Sequence, residues 1–151
     1  MIGLRTLILV GFSLLVFGVL LVSAEDKHLP RGEPEPLVTI MRGLAKDMEH
    51  IQQGLWYENF DQIRVAARSI AKHPPVTPAE RAAIQSVLGD DFGAFVASDR
   101  KTHDLALELA EIAKQRNIDQ AVRKNAELQR SCVSCHTDYR ERLQDRASDA
   151  R

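Results

Sequence analysis

The strongest restriction on the fold of this chain comes from apolar residues that recur at alternating intervals of four and three. They occupy six positions in the first half of the sequence: Leu37, Met41, Leu44, Met48, Ile51 and Leu55. This spacing returns a side chain to the same side of an α-helix at every turn, so it predicts one helix over residues 37–57 with a single buried stripe. Aromatic residues make up only 5% of the chain, which favours a helical bundle over a β-sandwich.

Prolines and short polar breaks divide the remainder into further helices. A second helix is stopped by His73-Pro74-Pro75, because the residue before a proline avoids helical geometry. Thr77-Pro78-Ala79-Glu80 is a typical helix start, with threonine as the cap and Glu80 completing a capping box. The predicted helices after the first span residues 61–72, 77–88, 91–115 and 118–143. Four long helices with short connections predict an all-α, antiparallel up-down-up-down four-helix bundle, with a short extra helix between the second and the third.

The segment Cys132-Val133-Ser134-Cys135-His136 lies in the last predicted helix and has the C-x-x-C-H pattern of covalent haem attachment. Two thiols about one helical turn apart on the same side of the backbone add to the two vinyl groups of one porphyrin. A histidine directly after the second cysteine reaches under the ring to bind iron. The motif therefore predicts one haem c near one end of the bundle, with His136 as the proximal iron ligand.

Three other roles are open to two cysteines at this spacing. A thioredoxin-like redox pair normally begins a helix after a strand, whereas the flanking sequence here is helical on both sides. A structural zinc site needs four ligands, usually with a second Cys or His pair, and the chain contains only these two cysteines. A structural disulfide leaves the adjacent His136 unexplained. Haem attachment is the role that uses all three residues.

The N-terminus predicts export. Residues 6–23 are almost wholly apolar and follow Arg5, and the small residues Ser23 and Ala24 come at the end of this run, after Val22. This arrangement is typical of a secretory signal peptide, which we place at residues 1–24. The alternative is an uncleaved inner-membrane anchor, because the apolar run approaches the length that spans a bilayer. Either outcome predicts a periplasmic location, where covalent haem attachment occurs in bacteria.

Beyond the leader, about 127 residues suit one domain with a single core. We predict an extended lead-in over residues 25–36, the helical domain over 37–143, and a polar tail over 144–151. With 20 basic and 21 acidic residues, the chain has no large basic patch, so no nucleic-acid partner is predicted. The sequence contains no general acid–base pair, nucleophile triad or phosphate-binding glycine loop, and we predict that the protein is not an enzyme.

These features resemble the class II c-type cytochromes, a family that comprises cytochrome c′ and its low-spin, methionine-ligated relatives. The resemblance covers about residues 37–143. It rests on the four predicted helices, on the attachment motif near the end of the last, and on His136-Thr137-Asp138-Tyr139-Arg140, where an aromatic residue and an arginine follow the histidine. Only the attachment motif is highly specific. The second helix is shorter than is usual in the family, and the extra helix fills the gap.

The resemblance implies that His136 is the proximal ligand, and it raises the question of the sixth iron position. In cytochrome c′ that position is empty and the iron binds nitric oxide or carbon monoxide. In the low-spin relatives a first-helix methionine fills it, and electron transfer is the natural role. Residues 41–48 resemble that first-helix segment, which makes Met41 the candidate ligand and Met48 the alternative. Leu44 is a candidate apolar shield over an open position.

The sequence thus predicts a small periplasmic electron carrier with one haem and transient redox partner proteins. The alternative is a gas-binding protein with five-coordinate haem iron. Contact with a membrane is predicted only through residues 6–23, and a homodimer through first-helix surfaces remains open. Two histidines have lesser predicted roles: His73 interacts with the last carbonyls of its helix, and His103 is a structural residue or a partner of a haem propionate.

Overall fold

The computed structural model describes residues 32–149, with side chains as far as Gln144. Over this range the protein is all-α, as predicted, and Glu35 and Val76 form an isolated parallel β-bridge. The elements are α1 (Leu37–Trp56), α2 (Phe60–Ala71), α3 (Pro78–Leu88), a 3-10 turn (Gly89–Asp91), α4 (Phe92–Lys114) and α5 (Ile118–Asp149).

Several predictions fall outside the described residues. They are the leader over residues 1–24 with its apolar run 6–23, the first part of the lead-in, and the end of the polar tail. Within the part of the chain that the structure describes, none of the helices combines the length and the apolar character needed to cross a bilayer.

The observed helix limits confirm the predicted ones to within one residue, except at the end of α5. There the helix continues from the predicted limit at Leu143 to Asp149, so most of the predicted polar tail is helical. No glycine or proline follows Leu143 to stop the helix, and polar residues with moderate helix propensity extend it.

Local capping explains where two of the helices begin. The Asn59 side chain accepts a hydrogen bond from the Gln62 amide at 3.1 Å, and Thr77 Oγ1 accepts one from the Glu80 amide at 3.3 Å. The predicted capping box is incomplete, however. The Glu80 carboxylate instead accepts a hydrogen bond from the Leu37 amide at 2.7 Å. Because α1 has no side-chain cap of its own, Glu80 satisfies one of its free amides and ties α3 to the start of α1.

The main core lies between α2 and its two neighbours, since α2 packs closely against both α1 and α4. Helix α5 packs mainly against α4, and α1 and α5 contact each other sparingly. The largest fully buried side chains of this core are Ile51, Ile63, Ile70, Leu109 and Leu128.

A second apolar cluster joins α3 to the start of α1, the start of α4 and the far part of α5. Its buried members are Ile84, Leu88 and Tyr139, and the residues packed against them are Leu37, Val76, Val87, Phe92, Phe95, Cys135 and Leu143. We call this group the α3 cluster. It brings the first residue of α1 and the second cysteine of the motif into one apolar group.

Candidate functional site

The two cysteines lie on the inward side of α5, on the stripe that also carries the buried residues Leu128 and Tyr139. Both are half-buried and neither forms a disulfide. His136, one position further, is exposed. The helix therefore presents two thiols about one turn apart toward the protein and an imidazole at the edge of the same surface.

Both thiols are held in the protonated form. Burial raises the pKa of Cys132. Burial also raises the pKa of Cys135 to about 11, and the negative charge of Asp99 adds to this effect. A redox-active cysteine pair needs a thiolate, which requires a lowered pKa in an electropositive setting. The raised pKa values therefore disfavour a thioredoxin-like role for the pair.

The two candidate methionine ligands lie on different parts of α1. Leu37, at the start of α1, belongs to the α3 cluster together with Cys135. Met41 follows Leu37 by one turn, about 6 Å along the helix axis, whereas Met48 lies about 16 Å from Leu37. Both sulfur-bearing side chains are half-buried, but Met48 packs against the main core, as does Leu44. Met41 is therefore on the part of α1 that is nearer to the attachment motif.

A group of three side chains that the sequence did not predict to meet lies where the end of α2 approaches α4. The Nε2 atoms of His73 and His103 are 2.8 Å apart. Oδ1 of Asp99 lies 3.5 Å from the His73 nitrogen and 3.7 Å from the His103 nitrogen. The side chains of His73 and His103 are 13% and 11% exposed, and that of Asp99 is 45% exposed. We call these three residues the His–Asp cluster.

The hydrogen-bond partner of His73 differs from the predicted one. Its Nδ1 lies 2.7 Å from the carbonyl oxygen of Pro74, the next residue, rather than interacting with the last carbonyls of α2. In the neutral tautomer that donates this hydrogen bond, the lone pair lies on Nε2, the nitrogen that is hydrogen-bonded to Nε2 of His103. Burial acts to lower the pKa of His73, but hydrogen bonds to Asp99 and Pro74 outweigh it, and the net shift is upward.

The carboxyl group of Asp99 is shifted in the opposite direction. Burial acts to raise its pKa, but the hydrogen bond to His73 and the charges of His103, His73 and Arg100 hold the pKa below its ordinary value. Asp99 is thus an anion that faces two imidazoles. The sequence signal for part of this arrangement is Asp99-x-x-x-His103, since residues four apart share a helix face. No local pattern connects His73 to them.

The His–Asp cluster lies beside the attachment helix. Asp99 acts electrostatically on Cys135, and the hydroxyl groups of Thr102 and Ser131 are hydrogen-bonded at 2.8 Å between α4 and α5. This contact joins the two helices next to the motif, since Ser131 directly precedes Cys132. The described structure thus places Asp99 near Cys135, and it places Met41 one turn after Leu37, which belongs to the same apolar cluster as Cys135.

Comparisons with known proteins assign no family to the chain. A scan against protein-family models, a search of curated proteins and a search of solved structures each found no match. The chain's own residues are therefore the guide to its function: the paired thiols with their adjacent histidine, the sulfurs on α1, and the His–Asp cluster.

Proposed function

We propose that the protein is an exported class II c-type cytochrome that carries electrons, with one haem joined to Cys132 and Cys135 and bound at iron by His136. The observation that carries this proposal is the C-x-x-C-H motif on a helix whose two thiols lie half-buried on the inward side. When bound, a haem supplies reversible one-electron chemistry at its iron.

The residues around the C-x-x-C-H motif fit a covalently bound haem. The thiols are reduced and unpaired with each other, and the imidazole of His136 is exposed and accessible to a ligand. Helices α1 and α5 contact each other sparingly, unlike the α1–α2, α2–α4 and α4–α5 pairs. A flat cofactor held by Cys132, Cys135 and His136 would therefore find little packing between α1 and α5 to displace.

We also propose the antiparallel up-down-up-down arrangement for the four long helices. In that topology the end of the last helix lies beside the start of the first. The α3 cluster supports it, because Leu37 from the start of α1 and Leu143 from the far part of α5 both belong to this group. The arrangement brings the first turns of α1 toward the attachment motif.

The protein contributes to electron transfer by binding the group and by setting its surroundings. His136 supplies an imidazole ligand, and the α3 cluster, with buried Tyr139, limits the access of water next to Cys135. Ligand identity and burial are the main controls on the potential of such a centre. Electron exchange with partner proteins is expected to use a small, transient interface.

Mass spectrometry of the full chain, produced in cells with intact haem-ligation machinery and purified from the periplasm, tests the proposal. We expect a covalently bound haem that survives denaturation and a mature chain that begins at Glu25. A retained leader with bound haem supports the membrane-anchored form of the same proposal. An exported chain with unmodified cysteines would contradict it.

The identity of the sixth iron ligand is tested separately. We expect low-spin, six-coordinate iron in the wild-type protein, because Met41 lies on the part of α1 nearer to the cysteines. Met41→Leu is then expected to give a high-spin absorption spectrum and rapid binding of carbon monoxide. Met48→Leu is the matched control, since Met48 packs against the main core, and it should leave the spectrum unchanged.

The same spectra distinguish the two functional classes. A wild-type spectrum that is already high-spin and shifts on addition of carbon monoxide would rule out Met41 as the ligand. It would favour the gas-binding alternative, with Leu44 as the apolar shield. A spectrum that changes only in Met48→Leu would move the ligand to Met48.

A further inference from the structure

The three potential ligand atoms of the His–Asp cluster form a triangle with edges of 2.8, 3.5 and 3.7 Å. In a tetrahedral zinc site with bonds of about 2.1 Å, neighbouring ligand atoms are about 3.4 Å apart. A point about 2.1 Å from all three atoms lies about 0.8 Å outside their plane, compared with about 0.7 Å for an ideal tetrahedral ion. Only the edge between the two nitrogens is short, and it needs to open by about 0.6 Å.

The two imidazoles are oriented for such a role. Their planes are nearly perpendicular, at 86°, and their centroids lie 4.6 Å apart, so both rings direct Nε2 into the same small volume. The contact of His73 Nδ1 with the Pro74 carbonyl is the typical outer-shell interaction of a metal-binding histidine, because it leaves the lone pair on Nε2.

The chemistry of the group also matches a particular class of ion. Two imidazole nitrogens and one carboxylate oxygen suit Zn²⁺ and similar divalent transition metals rather than Ca²⁺ or Mg²⁺, which prefer oxygen ligands. An ion at this point would accept one lone pair from each of the three residues, in place of the hydrogen bond between the two imidazoles. Because the Asp99 side chain is 45% exposed, the ion has a path to solvent and a fourth position for water.

We propose that His73, Asp99 and His103 bind one divalent transition-metal ion, zinc or a close chemical equivalent, with a fourth coordination position open to solvent. The residues of this metal site differ from those proposed to hold the haem, and the metal proposal does not depend on haem attachment. It uses neither of the cysteines and neither of the α1 methionines.

Zinc chloride is the probe for the test. Full-length exported protein is stripped with a chelator, dialysed against micromolar zinc, and its zinc content is measured by elemental analysis. We expect one zinc per chain. His73→Ala and Asp99→Asn should each weaken zinc binding at least about tenfold, since even outer-shell changes cost that much. His50→Ala is the matched control on α1 and should leave zinc content unchanged.

Asp99→Asn keeps the shape of a partly exposed side chain, so it is expected to fold like the wild type. A loss of zinc in this variant can then be assigned to the missing ligand rather than to misfolding. Circular dichroism should give the same helix content for it as for the wild type. X-ray absorption of the zinc-loaded protein should report nitrogen and oxygen neighbours at about 2.0–2.1 Å and no sulfur.

A Cys132→Ser/Cys135→Ser variant separates this site from thiol-bound zinc. Zinc that remains stoichiometric in this variant and is lost in the His73 and Asp99 variants supports the proposal. Zinc that is lost with the cysteines, zinc that is unaffected by His73→Ala and Asp99→Asn, or no zinc uptake at micromolar concentrations would each overturn it.

Discussion

Replacing Cys132 and Cys135 together by alanine is expected to abolish covalent haem attachment. In the proposed cytochrome each thiol forms one thioether bond to the porphyrin, so the double variant would retain no covalent link. After denaturation and removal of free haem, the variant should have the unmodified mass of the chain and no visible absorption. The measurement is mass spectrometry combined with absorption spectroscopy of the denatured, purified protein.

Ser134→Ala is the matched control, because Ser134 lies between the two cysteines and is exposed. It contributes no atom to attachment in this proposal, and it should retain one haem per chain. Haem that remains covalently bound in the double cysteine variant would show that another residue holds it. Loss of haem in Ser134→Ala to the same extent would show that the measurement reports expression or folding rather than the thioether bonds.

Gly54→Ala is expected to destabilise the protein by about 1–3 kcal/mol, the usual cost of overpacking a core. Gly54 is buried where α1 meets α2. A Cβ atom at this position would lie 2.7 Å from Cγ1 of Ile63 and 3.2 Å from the carbonyl oxygen of Asn59. Ile63 is fully buried, so neither it nor the backbone has room to move away. Urea unfolding followed by circular dichroism measures the change in the free energy of unfolding.

Gly43→Ala is the matched control on the same helix. Gly43 is exposed, and a Cβ atom there meets nothing within 4 Å. This substitution should stabilise the protein by about 0.5–1 kcal/mol, because alanine restricts the unfolded chain and favours the helix. Opposite signs for the two substitutions are the expected result. A stabilising Gly54→Ala would contradict the close packing of α1 against α2.

The helices and the attachment motif were predictable from the sequence because their signals are local. The spacing of the apolar residues on α1 determines which side is buried, and residues such as Asn59 and Thr77 cap the helix that starts next to them. The C-x-x-C-H motif is local for the same reason, since one turn of helix sets the separation of its thiols. The end of α5 differs from the prediction because polar residues do not stop a helix, whereas a glycine or a proline does.

The sequence by itself determined the helical class, the attachment motif and the helix limits other than the end of α5. The tertiary structure alone decided which distant residues meet: Glu80 with the first amide of α1, Leu37 with Cys135, and His73 with Asp99 and His103. The physical reason is that local spacing fixes which face of a helix a residue occupies. The packing of one helix against another determines what that face contacts, and it depends on the side chains of the whole core.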